Sequence, residues 1–128
     1  MATKILIVDD SAFMRAMLRG ILVSEGFDIV GEACNGREAV DLFEELKPDL
    51  VTMDMVMPEM GGMEALQIIR GSDGDAKVVI VSAVDQRENL LEAIRSGATE
   101  YIVKPFDAPC VLKAINRALG TTQTEPVT

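Results

Sequence analysis

The chain has 128 residues, 48% apolar and 26% charged, the size and balance of one domain around one core. Its net charge of −9, with no histidine, argues against a nucleic-acid partner, which needs Lys and Arg to neutralise phosphates. No apolar run reaches transmembrane length, and Met1-Ala2-Thr3-Lys4 with four apolar residues behind it is too short for a signal peptide.

Lys4 to Val8 is an apolar run rich in β-branched residues, which predicts a strand buried on both faces. Asp9-Asp10-Ser11 then opens a helix to about Glu25, with Arg15 and Arg19 on its wet side. Phe13, Met17, Ile21 and neighbours mark a broad apolar side, and Gly26 stops it. Asp28 to Cys34 is a second strand, polar enough for a sheet edge. Asn35-Gly36 turns the chain into a helix with Ala39, Leu42, Phe43 and Leu46 inward, ended by Lys47-Pro48. Leu50 to Met53 is the third strand. Gly61-Gly62 lead into a helix with Met63, Leu66 and Ile69 inward, followed by a turn over Gly71 to Gly74. Val78 to Val81 is the fourth strand. Asp85-Gln86-Arg87-Glu88 reads as a capping box for a helix to Ser96, with Gly97 as its stop. Glu100 to Val103 is the fifth strand. Asp107 caps a last helix through Leu119, with Pro109 in its first turn and Gly120 at its end. Residues 121–128 read as a disordered tail.

Strict alternation of strands and helices predicts an α/β fold, a doubly wound parallel sheet with helices on both faces. The first, third and fourth runs are the most apolar and belong in the middle, giving the order 2-1-3-4-5. In that arrangement, called flavodoxin-like, the ligand crevice lies at the carboxyl ends of strands one and three.

Four runs end there in polar groups: Asp9 and Asp10, Asp54, Ser82, and Lys104. Clustered carboxylates repel, and a hard cation such as Mg²⁺ relieves them with oxygen ligands alone. The absence of His and of paired Cys argues against zinc. A carboxylate can also attack a phosphoryl group, a reaction that needs charge neutralisation more than proton transfer. Lys104 supplies a compact positive charge and Ser82 a hydroxyl. Singly, each has a plainer use as a cap or a solvated charge; together, at four strand ends of one sheet, they point to a metal and a phosphate. Cys34 and Cys110 lack CxxC spacing and read as reduced, partly buried thiols of a cytoplasmic protein.

Val8-Asp9-Asp10-Ser11, Met53-Asp54-Met55-Val56-Met57-Pro58, Ser82-Ala83 and Tyr101-Ile102-Val103-Lys104-Pro105-Phe106 together resemble the receiver domains of two-component response regulators. The likeness spans roughly residues 3 to 120, making 1–120 the receiver domain, and is nearest to the single-domain chemotaxis regulators. The resemblance implies that Asp54 is the phosphoacceptor. It implies Mg²⁺ bound directly by Asp10, Asp54 and the Val56 carbonyl, with Asp9 acting through water. Ser82 would bond the phosphoryl oxygens, Lys104 would pair with them, and the Lys104-Pro105 bond would be cis. Tyr101 would be the switch, turning inward as Ser82 moves. The output face would be the fourth helix, fifth strand and fifth helix. The implied partners are a histidine kinase, contacted by the first and fifth helices, a motor switch or other output protein, and a phosphatase if one is used. The implied state is a monomer that takes one phosphoryl group and slowly loses it, not a turnover enzyme.

Val56 and Val84 depart from relatives that carry polar residues there, which implies slower loss of phosphate. Other roles compatible with the resemblance are a phosphate sink or one domain of a larger regulator. Two rival classes fit less well. A flavodoxin-type carrier needs a phosphate-cradling loop where Asp9-Asp10-Ser11-Ala12 stands. A haloacid-dehalogenase-type phosphohydrolase needs an Asp-x-Asp pair ending its first strand; Asp54-Met55-Val56 lacks the second acid.

Overall fold

The apolar runs fold into one parallel sheet in the order β2-β1-β3-β4-β5, as predicted. The computed structural model describes residues 2–83 and 87–120. In chain order the elements are β1 (Lys4–Val8), α1 (Ala12–Ser24), β2 (Asp28–Ala33), α2 (Gly36–Leu46) and β3 (Leu50–Asp54). Then come α3 (Gly62–Ser72), β4 (Val78–Ala83), α4 (Arg87–Arg95), β5 (Glu100–Lys104) and α5 (Ala108–Leu119). The capping box predicted from Asp85, the apolar Val84 and the tail over 121–128 involve positions outside the described residues.

Alternate residues of each central strand feed two cores. Leu6, Val8, Val51, Met53, Val78 and Ile80 pack with Ala39, Phe43, Leu66, Ile69 and Ala93 of α2, α3 and α4. Ile5, Ile7, Leu50, Val79, Val81 and Ile102 pack with Leu18, Leu22, Val111 and Ile115 of α1 and α5. Each large side chain buried this way contributes about 1.5–3 kcal/mol, so the middle of the sheet is the most firmly held part of the fold.

Several expectations are corrected. The buried stripe of α1 is Leu18 and Leu22, whereas Phe13 is 71% exposed and Met17 37%. The helix is apolar over so wide an arc that its period could not fix which part faces in. Arg15, placed on the wet side, turns inward because its guanidinium finds acceptors in Glu32 on the edge strand β2 and in the Asp9 carbonyl just past β1. Gly71 and Ser72 continue α3 instead of forming a turn; the chain leaves the helix at Asp73, whose N–H is donated to the Ile69 carbonyl. Strands β3, β4 and β5 run on through Asp54, Ala83 and Lys104, so the polar residues are held within the ladder. β2 stops at Ala33, one residue early. Asn35 is the N-cap of α2, accepting from the Glu38 N–H at 2.9 Å, while Glu38 accepts from the Cys34 N–H at 2.9 Å. Both thiols are free, but only Cys34 is partly buried; Cys110 sits exposed in the first turn of α5.

Candidate functional site

β1 and β3 lie side by side at the point where the winding of the sheet reverses, and their carboxyl ends carry the acids. The Asp9 backbone is fixed on both sides: its N–H donates to the Ala33 carbonyl at 3.0 Å, and its carbonyl accepts from Arg15 Nη1 at 2.7 Å. Its Oδ1 accepts from the Ser11 N–H at 2.9 Å, and Ser11 Oγ in turn caps α1 by accepting from the Met14 N–H at 3.2 Å. Asp9 is 1% exposed and Asp54 5%, while Asp10 is open to solvent. Carboxylate oxygens of the three lie within 4.8 Å of one another.

Lys104 reaches this cluster from the end of β5. Its Nζ lies 3.3 Å from Asp9 Oδ2 and 3.4 Å from Asp54 Oδ1. Asp9 Oδ2 is fully buried, and its contact with Lys104 is an ion pair without hydrogen-bond alignment. Ser82 is buried beside them on β4, its hydroxyl 3.4 Å from the Ala83 carbonyl. The Lys104-Pro105 bond is cis, as the resemblance implied. The Val56 side chain is exposed, and Tyr101 stands 46% exposed on β5.

The electrostatics are unbalanced, with three carboxylates facing one ammonium. Burial, then the neighbouring Asp9 charge, pushes the Asp54 carboxyl up to about 6, against the opposing pull of Lys104. Burial on its own would lower the Lys104 ammonium, but Asp54 and Asp9 outweigh it and hold it above its ordinary value. The excess negative charge and the all-oxygen donor set fit a hard divalent cation, and the unaligned buried oxygen of Asp9 is a donor still available to one. An oxygen nucleophile, a fixed cation beside it and a cluster able to hold a metal are the parts phosphoryl transfer requires.

All of the sequence-predicted acids and Lys104 come together. Two supporting residues were missed. Gly62 packs its backbone against the Asp54 carbonyl, where a Cβ would collide with that oxygen and come within 2.9 Å of Met55 Cα. The only signal for it was its place in the Gly-Gly pair after the loop. Arg15 carried no signal, since the helical pattern assigned it to solvent.

A family model described as "Response regulator receiver domain" matches residues 5–116. The chain belongs to that family. Within it the chain is 52% identical to the chemotaxis protein CheY of Bacillus subtilis, over 94% of this chain and all of the relative. It is 50% identical to the chemotaxis protein CheY of Thermotoga maritima, over 91% of this chain and 98% of that one. Among solved structures it matches a chain from the CheX–CheY–BeF₃–Mg²⁺ complex of Borrelia burgdorferi with a TM-score of 0.88. That match has 36% identity and covers 91% of this chain and 89% of the other. The response regulator domain of Thermotoga maritima CheB superposes with a TM-score of 0.87 at 37% identity, covering 96% of this chain and all of that one. The protein is thus a CheY-like receiver, a signalling phosphoacceptor of the chemotaxis type and not a classical enzyme. Among the described residues no helix is long and apolar enough to cross a membrane.

Proposed function

We propose that Asp54 is the residue that takes the phosphoryl group, from a phosphohistidine of a sensor kinase. The observation that carries this is the placement of Asp54: buried at the end of β3, 3.4 Å from Lys104 and within the cluster formed with Asp9 and Asp10. A carboxylate oxygen of Asp54 attacks phosphorus; an O–P bond forms, the P–N bond breaks, and the imidazole leaves with the electron pair. At neutral pH most of Asp54 is ionised, since its carboxyl titrates at about 6. Lys104 pairs with the phosphoryl oxygens and Ser82 donates its hydroxyl to one of them. Asp10, Asp54 and the Val56 carbonyl would hold Mg²⁺, with the Asp9 carboxylate beside them. Bound there, the ion supplies further neutralisation of phosphoryl charge.

The phosphorylated site then draws Ser82 inward and Tyr101 follows, changing the surface of α4, β5 and α5. The partners are a CheA-like histidine kinase, an output protein such as a motor switch, and a phosphatase that hastens a slow self-dephosphorylation, all in the cytoplasm. The test is intact-mass measurement after incubation with a small phosphodonor and Mg²⁺. Wild type gains one phosphoryl group and stops; Asp54→Asn gains none. Uptake by Asp54→Asn at the wild-type rate, or more than one phosphoryl group on wild type at a time, would overturn the proposal.

A further inference from the structure

Arg15 is the one cation of α1 whose head is drawn into the site region: its side chain is 19% exposed, against 52% for Arg19. Its guanidinium makes two bonds in different directions. Nη1 donates to the Asp9 carbonyl at 2.7 Å, and Nε donates to Glu32 Oε1 at 3.0 Å. Glu32 lies on the edge strand β2, and its other oxygen accepts from Arg19 Nη1 at 2.7 Å. The contacts thus run Arg19–Glu32–Arg15–Asp9, joining a salt-bridged edge to the backbone that carries two of the three clustered acids. Among the described residues Arg15 is the side-chain donor to the Asp9 carbonyl, which stands next to a turn that must hold mutually repelling carboxylates close together.

Resting on the reading of Asp9 and Asp10 as cation ligands, we propose that Arg15 is a positioning residue for that cation site, itself oriented by Glu32. A planar guanidinium can span the carbonyl and the carboxylate together; a lysine ammonium, a point donor on a flexible stem, cannot hold both in one geometry. Partners that orient metal ligands in this way influence metal affinity although they never touch the ion. Glu32, on an edge strand beyond the cluster, then contributes to metal affinity through Arg15 alone.

The test is calorimetric titration of the whole protein with Mg²⁺ alone, paired with thermal unfolding in chelator. Arg15→Lys is expected to weaken Mg²⁺ about tenfold. Glu32→Gln is expected to weaken it about threefold, and the double variant no more than Arg15→Lys by itself, because both act along one line. Arg70→Lys is the control for a merely structural effect, since Arg70 also clamps a carbonyl, that of Ala76 at 2.9 Å, in the loop before β4. It is expected to lower the melting temperature and leave Mg²⁺ affinity unchanged. Phosphodonor uptake by Arg15→Lys should recover toward wild type when Mg²⁺ is raised to saturation. The inference is overturned if Arg15→Lys binds Mg²⁺ within twofold of wild type, if Arg70→Lys weakens it equally, or if the double variant is additive. Failure of wild type to bind Mg²⁺ would instead remove the cation-site reading, and this inference with it.

Discussion

Asp54→Asn should stabilise the metal-free protein while abolishing its function. The folded state holds the Asp54 carboxyl at about 6, against an ordinary 3.8. A raised carboxylate means that the folded state binds the proton more tightly than the unfolded state. Between those two values the folded chain carries more protons, so stability falls as pH rises through the window, and the loss is complete above about 6. The shift is about 2 units, at about 1.4 kcal/mol each, or about 3 kcal/mol of destabilisation at neutral pH. Asp54 is only 5% exposed, so water screens little of it. Asparagine keeps the shape and removes the charge, and Lys104 retains Asp9 as a partner. In chelator near neutral pH, a gain of about 3 kcal/mol is the ceiling, or about 6–12 °C in melting temperature for a chain of this length. At about pH 4.5 the gain should shrink to about 1 kcal/mol. The assay is denaturant unfolding of both proteins across that range. A gain that does not change with pH, or no gain at neutral pH, would refute the account of Asp54 as a buried, repelled charge.

Further outcomes follow from the same geometry. Saturating Mg²⁺ should raise the melting temperature of wild type more than that of Asp54→Asn, since binding to the folded state alone stabilises it; equal shifts would place the ion elsewhere. Gly62→Ala should cost about 1–3 kcal/mol by overpacking against the Asp54 carbonyl and should slow phosphorylation, whereas Gly74→Ala, with open space around it, should do neither. The chain has one Tyr and no Trp, so its intrinsic fluorescence reports Tyr101 alone. Quenching by acrylamide should fall on phosphorylation of wild type but not of Ser82→Ala, and equal quenching before and after would refute the switch. Val56→Asn combined with Val84→Glu should release phosphate several-fold faster than wild type; identical decay would show that the apolar side chains do not gate water.

The sheet was legible because central parallel strands are buried on both faces and read as unbroken apolar runs; Ile5 to Val8 and Val78 to Val81 are all at most 1% exposed. The acids were legible because each follows such a run, and strand order then brings them together. In α2, charged residues fill most positions between the apolar ones, so the phase of the helix is fixed and Ala39 and Phe43 are buried as expected. In α1 the apolar residues leave the phase open, and Phe13 faces out where Leu18 faces in. Arg15 escaped for a different reason. Its place is set by a backbone carbonyl and by a residue seventeen positions away, and neither leaves a periodic trace in the chain.

On the phosphoacceptor reading, burial is also what suits Asp54 to its role. Leu50, Val51 and Met53 are 0% exposed, so the apolar layer pins the end of β3 regardless of the charge it carries. The carboxylate is therefore held where it repels Asp9, and its ionised form is less favoured there than it would be in water. On the phosphoacceptor reading, forming the O–P bond removes that charge from the buried carboxyl and moves it to phosphoryl oxygens farther out, roughly −1.5 to −2 in total. The negative charge at the site grows and moves outward, and a new attraction appears for whichever donors can reach the outer position. Lys104 lies between Asp9 and Asp54 at 3.3 and 3.4 Å, so it must divide its charge differently once one of the two is esterified. The side of the sheet carrying β1 has little room to respond, since Asp9 is bonded through its N–H, its carbonyl and its Oδ1. The response is therefore directed toward β4 and β5, where Lys104 and Tyr101 share one strand, and a change at the phosphate can alter a surface that never touches it.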